Sequence, residues 1–209
     1  MELALLKFDG TDTGKKVVLD DAVFGIEPND HAIYLDVKQY LAAQRQGTSK
    51  TKDRSEVAYS TKKIIRQKGS GGARHGSIKS NIYVGGGRAH GPKPRDYDFK
   101  LNKKVKQLAR FSALSYKAKE SAIAVVEPFT MEAPKTKEFI KIIKNLKVND
   151  RRVLFIVPEK SVNISLSSRN LENVKVITPN NINTYDIMKA YSVVFVNGAQ
   201  DSLKTEYKR

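Results

Sequence analysis

VLFIV, residues 153–157, sets five apolar side chains in a row between Arg152 and Pro158. A strand with one face in water alternates apolar with polar, so an unbroken run of this length fits a strand covered on both faces. Three further short β-branched runs, AIAVV (122–126), VKVIT (174–178) and SVVFV (192–196), recur along the C-terminal half. Between them KTKEFIKIIKNL, about 135–146, carries helical periodicity and begins just after Pro134. Short apolar strands separated by helices indicate a parallel sheet. LALLKF near the N-terminus and KKVVL after it are predicted to add strands. The expected fold class is α/β: a layered, mostly parallel sheet covered by helices.

Two more helices are predicted before this region. DHAIYLDVKQYLAAQ (30–44) spaces Ile33, Val37, Tyr40 and Leu41 on one face, with Asn29 or Asp30 as its N-cap. Past residue 102, with Asn102 as cap, Lys103, Lys106, Arg110 and Lys117 fall on one arc, and Val105, Leu108, Ala109 and Tyr116 fall broadly opposite. That pattern predicts a helix with one face on a core and a basic stripe on the other.

Between these helices the composition changes. Residues 45–95 hold 13 Lys and Arg against Asp53 and Glu56, a net +11 of the chain's +16, so the other 158 residues carry +5. The same 51 residues take nine of the 13 glycines and contain no Leu and no Phe, so they have no core of their own. The sequence thus divides into an α/β body, 1–44 plus 96–209, and an inserted basic loop, 45–95. Loops of this length in a compact domain are functional or disordered. A body of this size is about 40 Å across, whereas two arms of half the insertion extend to about 80 Å, so a long extended loop reaches farther than the body is wide.

Such a charge balance costs self-repulsion unless a polyanion relieves it, and nucleic acid is the first candidate. Glycine permits close backbone approach, and Arg and Lys neutralise phosphates. Tyr59, Tyr83 and Tyr97 are the rings near enough to stack on bases. Recurrent Ile64, Ile65, Ile78, Ile82 and Val84 are unlike a purely solvating tail. No apolar run approaches the roughly 18 residues of a membrane span, so no membrane is expected. The absence of cysteine excludes disulfides and thiolate metal sites, and with MELALLKFDG lacking the features of a signal or transit peptide it fits a cytoplasmic protein.

Enzymatic readings are weaker. GSGGAR (69–74) puts Arg74 where a dinucleotide fingerprint needs its third glycine, and GGRAHGPK (86–93) puts Pro92 where a phosphate loop needs lysine. Asp20 with Asp21 and Asp96 with Asp98 sit at a turn and beside a helix start, where capping is the ordinary role. His31 is expected to face solvent, and His75 and His90 lack metal-ligand spacing. No catalytic residue, metal, cofactor or small-molecule substrate is expected. The alternative is a nucleotide- or methyl-donor-dependent RNA-modifying enzyme, with its ligand at NGAQDS after Val196 or PEKS after Val157 and the basic loop recruiting RNA.

GTSKTKDRSEV (47–57), RQKGSGGARHGSIKS (66–80), GGG (85–87), GPKPRDYDFKLNKKV (91–105), ALSYKAKESAIAVVE and EAPKTKEF (132–139) resemble, in order, the blocks of the bacterial-type family of universal large-subunit ribosomal protein number four. The resemblance covers nearly the whole chain. It implies a structural constituent of the large ribosomal subunit, bound to large-subunit ribosomal RNA and to neighbouring ribosomal proteins, with a loop penetrating the RNA and its tip lining a constriction of the nascent-peptide exit tunnel. By position, the tunnel tip is Arg66, Gln67, Lys68, Gly69, Ser70 and Gly71. RNA-binding positions further include Lys50, Lys52, Arg54, Lys62, Lys63, Arg74, His75, Ser77, Lys79, Ser80, Tyr83, Arg88, His90, Lys93, Arg95 and Tyr97, with Lys103, Lys106 and Arg110 of the following helix. The chain departs from the family at Ile64 and Ile65, where proline and tryptophan are usual, at Gly72 for an arginine, and at Tyr83 or Val84 for a second tryptophan. Aromatic stacking near the tip is thereby reduced, while Arg66, Lys68 and Arg74 keep it cationic.

Overall fold

The computed structural model describes residues 1–148, 152–159 and 161–206. It divides into two compact units, Met1–Leu41 with Lys100–Arg209, and Ala42–Phe99. The first holds a six-stranded sheet, built from β1 (Glu2–Leu6), β2 (Asp12–Val18), β3 (Ile123–Val126), β4 (Val153–Ile156), β5 (Val174–Ile177) and β6 (Ser192–Val196) in the order β2-β1-β3-β6-β4-β5. Strand β2 is antiparallel at one edge and the remaining pairs are parallel. Each apolar run identified in the sequence is a strand, and the sheet is mixed because LALLKF and KKVVL form a hairpin.

Unbroken apolar runs are required because successive side chains serve two cores. Leu154 and Ile156 of β4 join Val125, Val193 and Phe195 in one cluster, against Leu114, Ala118, Ile187 and Leu203. Val153 and Phe155 join Val126, Val194 and Val196 in the other, against Phe139, Ile143 and Ile164. The helices supplying these side chains are α3 (Lys103–Lys119), α6 (Thr184–Lys189) and α7 (Ala199–Glu206) on one face, and α4 (Thr136–Asn145) and α5 (Val162–Ser168) on the other. A short α1 (Asp21–Phe24) and α2 (Asp30–Ala43) precede α3. Asp20 caps α1, accepting the Ala22 N–H at 3.0 Å, and Asn29 caps α2, accepting the Ala32 N–H at 2.9 Å.

Periodicity places two helix faces only in part. Lys117, assigned to a basic stripe on α3, is only 8% exposed and pairs with Glu120 at 3.2 Å, whereas Leu108, assigned to the core, is exposed. The middle of α3 packs on more than one side, so Ser112, Ala113, Leu114 and Ser115 are all buried, and small residues permit it. Ser112 accepts the Asn29 N–H at 3.1 Å. On α2 Ile33 is buried and Val37 and Tyr40 are half-buried as expected, but Leu41 is exposed, and the buried stripe takes in Ala32 and Asp36, which accepts the hydroxyl of buried Thr184. Asn102 caps α3 through its backbone carbonyl, which accepts from Val105 and Lys106, and makes no side-chain cap bond. Asp96 and Asp98 lie upstream of that cap, outside the helix.

Phe155 is the best-placed probe of this body. It is buried and meets Phe139 edge-on at 5.3 Å between centroids. Phe155→Ala is expected to cost about 3–5 kcal/mol, read as a lowered denaturant midpoint in equilibrium unfolding.

Candidate nucleic-acid interface

From Gln44 to Asn102 the chain forms no helix and no strand, and between residues 45 and 95 Gly87 alone is buried. No hydrophobic core forms there, as the missing Leu and Phe require. The two arms are nevertheless tied backbone to backbone. Arg95 N–H donates to Gly47 O at 3.1 Å, Thr51 to Pro92 at 3.2 Å, Arg88 to Lys52 at 3.0 Å and Ile64 to Gly76 at 3.0 Å. These pairs run antiparallel about a centre near residue 70. Ser77, predicted to contact RNA, spends its hydroxyl on Ser60 O of the other arm at 2.9 Å.

The glycines divide by place. In the stem, a Cβ on Gly47 would lie 2.0 Å from Arg95 O, and one on Gly87 would lie 2.3 Å from the Arg54 nitrogen. At these points the arms touch too closely for any side chain. At the tip, Gly69 and Gly71 hold φ of +80° and +65°, and a Cβ on either, or on Gly76, would meet nothing within 4 Å. A side chain at these positions would enter open space, and the first two glycines answer to backbone conformation.

Charge follows the same division. Asp53 lies 3.9 Å from Lys93 across the stem, and Glu56 pairs with Lys50 and accepts the Asp53 N–H at 3.2 Å. The hydrogen bond from Lys50 holds the Glu56 carboxyl below the usual carboxylate range, and the same bond raises the Lys50 ammonium. Both carboxylates of residues 45–95 are thus engaged in the stem. Arg66, Lys68 and Arg74 stand exposed at the tip, with Gly69, Ser70 and Gly71 between the first two and the third. Gln67 accepts from Lys63, and His75 meets Tyr83 edge-on at 5.4 Å. Lys62, Arg88 and His90 are exposed; Lys79 and Ser80 are half-buried, their carbonyls taken by Gly87 and Tyr83 N–H groups.

At the root, Tyr97 lies beneath two guanidiniums, the Cζ of Arg45 at 3.7 Å and that of Arg95 at 4.7 Å from its ring centroid. Arg45 escapes a reading based on glycine-rich blocks, because it precedes the first of them, and only Arg-Tyr-Arg proximity reveals it. The Arg95 hydrogen bond and then the Arg45 charge hold the Tyr97 phenol below its ordinary value. On α3, Lys103 is exposed and Lys106 and Arg110 are half-exposed.

GSGGAR and GGRAHGPK lie where neither strand nor helix flanks them, so neither forms a phosphate loop. After β6, buried Gln200 accepts the Gly198 N–H and donates to Asn197, each at 3.0 Å. After β4, Ser161 caps α5; Lys160 of that stretch lies outside the described residues. Among the described residues no group of three or more His, Asp or Glu side chains is placed to hold a metal, and no helix is long and apolar enough to cross a membrane.

Two outcomes are expected. Gly87→Ala should force the arms apart and raise tryptic cleavage at Lys52, Arg54 and Arg88 by about tenfold, the factor given by about 1.4 kcal/mol of lost stem stability, whereas Gly76→Ala should leave that cleavage unchanged. In spectrophotometric titration a tyrosine ionising below its ordinary value should be seen and should vanish in Tyr97→Phe, while Tyr116, whose hydroxyl donates to Asp30 at 2.5 Å, should ionise above its ordinary value.

The large ribosomal subunit protein uL4 of Parabacteroides distasonis is 63% identical over 208 residues, covering 100% of both chains. That of Phocaeicola vulgatus is 57% identical over 204 residues, 98% of this chain and 97% of its own, and that of Cytophaga hutchinsonii is 57% identical over 204 residues, 98% of each. The family model described as ribosomal protein L4/L1 family matches residues 17–206, and the chain belongs to that family.

Proposed function

We propose that the protein is a structural, non-enzymatic constituent of the large ribosomal subunit in the cytoplasm, bound to large-subunit ribosomal RNA and to neighbouring ribosomal proteins. The observation that carries this reading is a segment of thirteen cations and two carboxylates, with no buried side chain, in a chain of this family. Both carboxylates are engaged by Lys50 and Lys93. The surplus of positive charge is matched by phosphate, which exchanges condensed counterions for Lys and Arg. Ribosomal proteins named uL4 align with the chain along its length.

On this reading 45–95 is an extended loop entering the RNA, and Arg66–Gly71 at its tip lines the nascent-peptide exit tunnel. The support is the family resemblance of the tip together with its open surroundings. A wall that a moving peptide passes needs charge without bulk, and Gly69 and Gly71 with nothing within 4 Å of a Cβ supply it. In the other unit, Lys103, Lys106 and Arg110 of α3 are further cations assigned to RNA on this reading.

With about six phosphates neutralised, affinity for deproteinised large-subunit RNA should fall with a log–log salt slope near −5. The chain should also remain with large subunits through a high-salt wash in sedimentation. A flat salt response, or release from the particles in the wash, would overturn the assignment.

A further inference from the structure

Residues 77–87 of the returning arm form a closed excursion. Three turns follow one another, Ser80 N–H to Ser77 O at 3.2 Å, Tyr83 to Ser80 at 3.2 Å and Gly86 to Tyr83 at 3.0 Å, and Gly87 N–H returns to Lys79 O at 3.0 Å. A Cβ on Gly86 would lie 1.9 Å from Ser80 O, so the closure admits no side chain there. Tyr59 of the other arm braces the excursion, its hydroxyl 3.3 Å from where a Gly85 Cβ would stand, and His75 meets Tyr83 edge-on.

This small scaffold presents Ile82, 78% exposed, and Val84, fully exposed at 103%, the two most exposed large hydrophobic residues among those described. Single exposed aliphatics are ordinary. Here two are held one residue apart on a backbone already closed, so fixing them against a partner costs little further entropy. Lys79 and Arg88 flank them in sequence, and the two nearby carboxylates, Asp53 and Glu56, are engaged with Lys93 and Lys50. The partner that fits is anionic overall and still offers apolar surface. RNA does both, with phosphates at the edge and ribose and base faces in its wide, shallow minor groove and at unstacked bases.

We propose that Ser77–Gly87 is an apolar RNA-docking knob, with Ile82 and Val84 set against ribose and base faces while Lys79 and Arg88 hold flanking phosphates. The inference rests on the RNA-binding function proposed above. It assigns the segment a component of affinity that salt does not remove, since burial of apolar surface releases no counterions.

The test is filter binding of the full chain to deproteinised large-subunit ribosomal RNA across a salt series. Ile82→Ser and Val84→Ser should each weaken binding about tenfold at every salt concentration and leave the log–log slope unchanged, whereas Arg88→Gln should make the slope shallower by about one. Ile82→Val should bind almost as the parent does. Unchanged affinity in both serine variants, over a steep parental slope, would overturn the knob alone. Unchanged RNA affinity with loss of incorporation into large subunits would overturn it in favour of a protein partner, and a flat parental slope would overturn the RNA reading together with the knob.

Discussion

Repulsion among the cations of residues 45–95 is the constraint to which the rest of that segment answers. Two like charges 10 Å apart in water repel by about 0.4 kcal/mol, and physiological salt screens most of it beyond about 8 Å. A backbone hydrogen bond contributes about 1 kcal/mol net. The ties at Gly47–Arg95, Thr51–Pro92, Lys52–Arg88 and Ile64–Gly76 therefore hold two basic arms together against a repulsion that Asp53 and Glu56 lessen in the stem. Toward the tip, Lys62, Lys63, Arg66, Lys68 and Arg74 succeed one another with no carboxylate among them. Carboxylate pairing belongs to the stem, and charge without a carboxylate belongs to the tip.

The body obeys a different constraint, in which each strand must satisfy two cores at once. That is why its fold is legible: a run such as Val153–Ile156 has no face for a polar residue, and every such run in the sequence became a strand. Helix faces are less legible because periodicity assumes one buried side. Helix α3 is enclosed through Ser112–Ser115, and the arc holding Lys103, Lys106 and Arg110 turns inward by Lys117. Asp36 shows the converse, a charged residue on the buried stripe of α2 because Thr184 donates to it.

Within the basic segment, composition and charge were legible and geometry was not. Ties formed by backbone groups leave no alternation of side chains, so nothing in GTSKTKDRS shows that Thr51 and Lys52 face Pro92 and Arg88. Glycine appears in the stem and the tip alike, and the sequence cannot separate Gly87, packed on Arg54, from Gly76, beside open space. Ser77 illustrates the point: its block gives no sign that its hydroxyl donates to Ser60 O across the stem. Arg45 is as hard to read, since its place over Tyr97 depends on a fold-back of 52 residues that no local motif records.

If the arm binds RNA as proposed, electrostatic attraction is poor at fixing its register, since phosphates recur along every strand and shifting by one nucleotide changes the energy little. Register requires features that do not repeat. In this chain they are steric and apolar: the stem points where only glycine fits, the guanidinium pair over Tyr97 at the root, and the aliphatic pair Ile82 and Val84 on a closed excursion. They lie at the root and along the returning arm, while the tip carries charge and glycine. A tip built from parts that do not fix their own position must be positioned by what lies behind it, so the ordered stem is the condition for the open tip rather than its packaging.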